Sequence, residues 1–218
     1  LYGGGSNTHF TEINRLLPDY DKMAFVAFPN NPQVHASDDR TIIENLAAQG
    51  EVIKMAGILY PALKIHVSDI RLRYPNDPEN GRTSRYLQEN GYPWTVDPRQ
   101  WSHFFARWTL LSLKYLAEAD QLTYFNMVGL DGLMAGELQH KNLPGYPPSY
   151  SIFPVYEAMA EIGAFRPEEI FPLFSAHPLQ YDGYCLMNSS GEVLFVLVNH
   201  SSEEISVRLI NDYKELTA

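Results

Sequence analysis

The chain has 218 residues, of which 45% are apolar, enough for one large domain or a medium and a small one with ample material for a core. Its 26 acidic against 16 basic side chains give a formal charge of −10. That charge repels a phosphate backbone and argues against nucleic acid or an anionic membrane as a partner. A single cysteine, Cys185, excludes an intrachain disulfide and any multi-cysteine metal site, and it fits the cytoplasmic location we expect.

The chain opens on "LYGGGSNTHF", without a Met and inside what reads as the end of a strand at 1–3, so it is expected to be a fragment. Further strand-like runs fall at 23–28, 63–67 and 122–128. Between them, 41–56 carries Ile42, Ile43, Leu46, Ala47 and Ile53 at helical spacing behind Ser37 or Asp38, either of which suits an N-cap. The stretch 98–119 begins with Pro98, well placed in a first turn, and sets Trp101, Phe104, Phe105, Trp108, Leu111 and Tyr115 on one side. Short apolar strands alternating with helices predict parallel strands buried by crossover helices, in an open sheet or a barrel. No apolar stretch approaches the roughly 20 residues of a bilayer span.

After a helix at 152–162 the pattern changes. Runs at 184–187, 193–198 and 205–210 alternate around turns at 188–191 and 199–203, which predicts an antiparallel meander. The boundary between the two patterns is expected near 163–172, with Pro167 and Pro172 in a linker.

In parallel α/β folds the ligand site lies beyond the carboxyl ends of the strands. Polar segments follow all four runs: "GGGSNTHFTEINR", "NNPQVHASDD", "SDIRLRYPNDPENGRTSRY" and "GLDGLMAGE". They are expected to share one rim. There Glu12 offers a general base or a salt bridge to Arg15, and His35 a proton shuttle or a structural hydrogen bond. Asp38 and Asp39 read as favourable charges in a helix's first turn. Arg71 and Arg73 alternate toward one side and suit a carboxylate or a polyol, with interior salt bridges to Asp69 as the plainer reading. Asn7, His9, Gln33 and Asn126 complete the candidate substrate-binding set. His9, His35 and the Asp pair match no compact metal motif, and no metal site is expected. "GGG" lacks the G-x-G-x-x-G spacing, and there is no G-x-S-x-G elbow.

"GGGSNTHFTEINR", "NPQVHASDD" with "IIENLAAQ", "VSDIRLRYP" and "WTLLSLKYLAEADQLTYF", in that order, resemble the D-apionate lactonase (apionolactonase) family. Its chains carry an N-terminal domain, a glycosidase-like TIM barrel and a C-terminal β domain. The resemblance implies residues 1–164 as the C-terminal half of a (β/α)8 barrel and 165–218 as part of an antiparallel, β-sandwich-like domain. It also implies hydrolysis of a sugar-acid lactone without a cofactor. Glu12 and His35 are then catalytic candidates, and Arg71 and Arg73 contact substrate. The family pattern at the last strand is closer to T-Y-Y-E-T with a later W-R-G, so Asn126 stands where an acid is expected, which implies another substrate or a weaker activity.

The expected partners are a sugar or sugar-lactone substrate and either the missing N-terminal half of the barrel or a second copy. A glycosidase is the alternative; it needs two carboxyl groups flanking one bond, with Asp69, Asp131 or Glu137 joining Glu12. A non-catalytic carbohydrate-binding module or an inactive fragment is the third reading.

Overall fold

The computed structural model describes residues 2–16, 21–33, 36–73, 92, 96–124, 126–137 and 143–210. His35 and most of the segment after Arg73 lie outside the described residues. In chain order the first elements are β1 (Gly3–Gly5), α1 (Phe10–Leu16), β2 (Phe25–Asn30), α2 (Asp39–Glu44), α3 (Leu46–Leu59) and β3 (Lys64–Ile70). A 3-10 turn (Pro98–Trp101), α4 (His103–Tyr115), β4 (Gln121–Tyr124), β5 (Asn126–Val128) and β6 (Gly132–Met134) follow, then α5 (Pro154–Phe165), β7 (Pro167–Pro172), β8 (Tyr181–Asn188) and β9 (Val193–Asn199).

Strands β1 to β4 form one sheet in sequential order with every neighbouring pair parallel. Sequential order with helical crossovers is how strands succeed one another in a β/α barrel. The glycine triplet is explained by crowding between β1 and β2. A Cβ on Gly5 would fall 1.7 Å from the Ala27 carbonyl oxygen, and one on Gly3 would fall 2.2 Å from the Phe25 ring. Val26, Phe28, Ile65 and Val67 are buried on the helix-covered face, whereas Phe25, Ala27, His66 and Ser68 on the other face are only partly covered. There Phe25 and His66 stack with ring centroids 4.3 Å apart.

Helix α4 is the hub of the core. Phe105, Trp108 and Leu111 are fully buried, each worth about 1.5–3 kcal/mol of transfer free energy. The helix read over 98–119 is divided at Ser102, whose hydroxyl accepts the Phe104 amide and caps α4. The helix read over 41–56 is likewise divided. Asp38 is the N-cap, accepting the Thr41 amide at 2.9 Å, and Asn45 breaks the run while giving its amide to the Pro32 carbonyl at 3.0 Å.

The antiparallel sheet has the order β7-β8-β9. Two expectations change here. Residues 205–210 form no strand and are largely exposed; the third strand is β7, in the stretch expected to be a linker. Its two prolines sit at its ends and on the sheet edge, where a missing N–H costs no ladder bond. The run expected at 122–128 is also divided. β4 continues the parallel sheet as far as Tyr124 opposite Ile70, and β5 pairs with β6 instead. The antiparallel sheet is joined to α4 by Asp182, which accepts Lys114 Nζ at 2.6 Å and Tyr115 OH at 2.8 Å. No helix among the described residues is long and apolar enough to cross a membrane.

Candidate active site

The carboxyl ends of β2 and β3 are irregular. The register between them shifts between Phe28 and Asn30, and between β3 and β4 it shifts again between Ser68 and Ile70. Asp69 stands in that second irregularity with φ at +72°, a left-handed conformation that costs a non-glycine residue about 1–3 kcal/mol and is concentrated at functional sites.

From this point a charged cluster spreads across the rim. Arg71 gives Nε to Asp69 Oδ1 and NH1 to Asp131 Oδ2, the latter at 2.5 Å. Asn126 donates to both Asp131 oxygens, at 3.1 and 3.3 Å. Both Asp131 oxygens are engaged by these bonds, whereas Asp69 Oδ2 has no partner among the described residues. The Asp69 side chain is 34% exposed, so water can reach it.

Behind this pair lies a second cluster. Gln33 donates to the Leu72 carbonyl at 2.7 Å and to Asp97 Oδ2 at 2.6 Å. Asp97 is buried and takes Arg99 through both oxygens, at 2.9 and 2.7 Å. Burial opposes its charge, but the bonds and charge of Arg99 and the bond from Gln33 prevail and hold the carboxyl below its usual range. Arg99 also reaches the Ser37 carbonyl at 2.9 Å and Asp39 at 2.6 Å. Gln33 and Ser37 are thus both tied to the Asp97–Arg99 pair. Arg73 is half-buried beside Asp97, and burial lowers its pKa from the ordinary guanidinium value. Arg71, Arg73, Asp97, Gln100 and Asp131 line a cavity of about 20 Å³, room for a water molecule and not for a sugar ring. The side-chain amide nitrogens of Asn30 and Asn31, just beyond β2, are buried without a partner among the described residues, as expected where a ligand supplies the acceptor.

Gln33, Arg71, Arg73 and Asn126 are thus drawn into one rim. Topology puts Glu12, in the first turn of α1, at the same end of the sheet, but its carboxylate is on Arg15 at 2.8 Å, the plainer of its two readings. Asn7 and His9 lie between β1 and α1. Asp97 and Arg99 escaped sequence reading because "DPRQW" shows only a helix start, and their role depends on contacts to residues about sixty positions away. Asp69 left a signal, an acid directly after an apolar strand.

Residues 1–166 match the model of the D-apionate lactonase TIM barrel domain. The chain belongs to this family. It is 25% identical over 185 residues to the D-apionate lactonase of Brucella anthropi, covering 80% of this chain and 30% of that protein, so it spans under a third of the curated relative's length. The catalytic core of xylanase A superposes with a TM-score of 0.32 at 19% identity, over 70% of this chain and 43% of that one, too loosely to bear on chemistry. Family and structure agree on a TIM-barrel α/β region with a separate antiparallel sheet.

Proposed function

We propose that the chain is the rim-bearing part of a carbohydrate-directed hydrolase that opens a sugar lactone of the apionolactone kind. Family membership supports the substrate class. The observation that carries the chemistry is Asp69, with one carboxylate oxygen anchored on Arg71 and the other open to solvent. A carboxylate so held can take a proton from water as it attacks the lactone carbonyl. Arg73, beside Asp97 on the same rim, stabilises the developing oxyanion, and His35, outside the described residues, is kept as a further candidate donor. Asn126 and the free amides of Asn30 and Asn31 meet sugar hydroxyls. In this reading the base moves from Glu12, which is engaged by Arg15, to Asp69. No cofactor takes part.

We further propose that the partly covered face of the parallel sheet, with Phe25 and His66, meets the other half of a barrel, from the parent chain or a second copy. Half a barrel presents two unpaired strand edges, which favours association.

One observation favours a glycosidase as the second reading: Asp69 and Asp131 converge on a single guanidinium, as a pair of catalytic carboxylates would lie close together. The two readings separate on substrate. The protein should open aldonolactones faster than it cleaves aryl glycosides; rapid glycoside cleavage with no lactone opening would install the second reading.

A further inference from the structure

Arg107 projects from α4 toward the turn after β9. Its NH1 donates to the Asn199 carbonyl at 3.1 Å and its Nε to the His103 carbonyl at 3.3 Å. Among the described residues no carboxylate pairs with it. Beside it His200 keeps Nε2 buried and without a hydrogen-bond partner. Burial, reinforced by the Arg107 charge and opposed by Asp182, lowers the imidazole to about 4, so the ring is neutral at pH 7.

Both side chains line a cleft of about 660 Å³ bounded by α2, α4 and the turn at 200–202. The carboxylates of that cleft are already matched: Asp39 takes Arg99 at 2.6 Å and Glu44 takes Arg40 at 2.7 Å. The Arg107 guanidinium, which no carboxylate among the described residues neutralises, is the charge this cleft can offer a ligand, the His200 ring lies beside it, and Ile43, Phe104 and Leu179 give the cleft an apolar wall. A half-buried arginine whose partners are carbonyls gains most from an oxyanion, which it binds through charge-assisted hydrogen bonds.

We propose that this cleft binds a small molecule bearing one oxyanion group, carboxylate or phosphate, held by Arg107 next to the His200 ring, with its carbon skeleton against Ile43 and Leu179. The site is distinct from the Asp69 cluster and does not depend on the reaction assigned there. Asp39 is common ground, since Arg99 ties it to Asp97 and so to Gln33.

The test follows the His200 Cε1–H resonance of the full chain while sodium gluconate, sodium phosphate or sodium chloride is added at constant ionic strength. The expected result is a saturating shift with gluconate or phosphate but not chloride, weakened roughly tenfold or more in Arg107→Gln, with His66 and His177 unmoved. Saturation by gluconate alone identifies a sugar acid as the source of the oxyanion, and by phosphate alone a phosphorylated ligand. Ser202→Glu, which adds a carboxylate at the exposed mouth, should weaken binding as well and decides the matter if Arg107→Gln fails to fold. Shifts that rise linearly and alike with all three salts, or saturation unchanged in the variants, would overturn the site.

Discussion

Asp182 under α4 and Asp69 at the end of β3 are each anchored by a cation, yet their surroundings differ. Asp182 has a side chain only 1% exposed. It accepts Lys114, Tyr115 and the Gly183 amide, and Lys114 in turn holds the Leu173 carbonyl. Asp69 is 34% exposed, stands on left-handed backbone, and leaves one oxygen without a partner among the described residues, at the same end of the sheet as the unpartnered amides of Asn30 and Asn31. A closed network of this kind fastens one layer to another. An open one keeps donors and acceptors in reserve, which is costly in a folded protein unless a ligand completes it.

The contrast can be broken first through stability. Asp182→Ala strands Lys114 in the core and should lower the free energy of unfolding by about 3–5 kcal/mol in urea titrations. A loss below about 1 kcal/mol would show that the closed network is decorative. Asp97→Asn is intermediate, at about 1–3 kcal/mol, because Asp39 still meets Arg99. It also carries a pH signature. The folded Asp97 carboxyl lies below its ordinary value of 3.8, so its contribution is present above that pH and is lost as pH falls through the folded pKa. Stability of the unmodified chain should therefore fall more steeply with acid below about pH 4 than that of Asp97→Asn; parallel acid limbs would contradict the assignment. Glu12→Gln removes only an exposed ion pair and should change stability by about 0–1 kcal/mol. A third comparison concerns the two faces of the parallel sheet: sedimentation should show association that grows with concentration, and a monomer at every concentration would count against a partner on the open face.

Much of the fold was legible because it is written in periodicity. The parallel strands, the α4 stripe through Phe105, Trp108 and Leu111, and the β8–β9 hairpin all follow from local patterns of apolar residues. β7 was missed because Pro167 and Pro172 read as a linker when no sheet edge is in view. The break at Asn45 was missed because it depends on the distant Pro32 carbonyl. The candidate site divides in the same way. Arg71 and Arg73 announce themselves by alternation after a strand, and Asn126 by its departure from a family pattern. The burial of Asp97, the bonds that Asp131 takes from Arg71 and Asn126, and the backbone of Asp69 arise only when separate loops meet at the rim.

Asp69, the carboxylate left open, is proposed as the base of the reaction. Lactone opening, measured with the protein carrying Asp69→Asn or Glu12→Gln and with folding checked by thermal denaturation, decides this. Asp69→Asn should lower the rate by about 10²–10⁴ at little cost in stability, and Glu12→Gln should leave it within a few-fold of the unmodified protein. An undiminished rate in a folded Asp69→Asn protein, with the loss transferred to Glu12→Gln, would contradict that role.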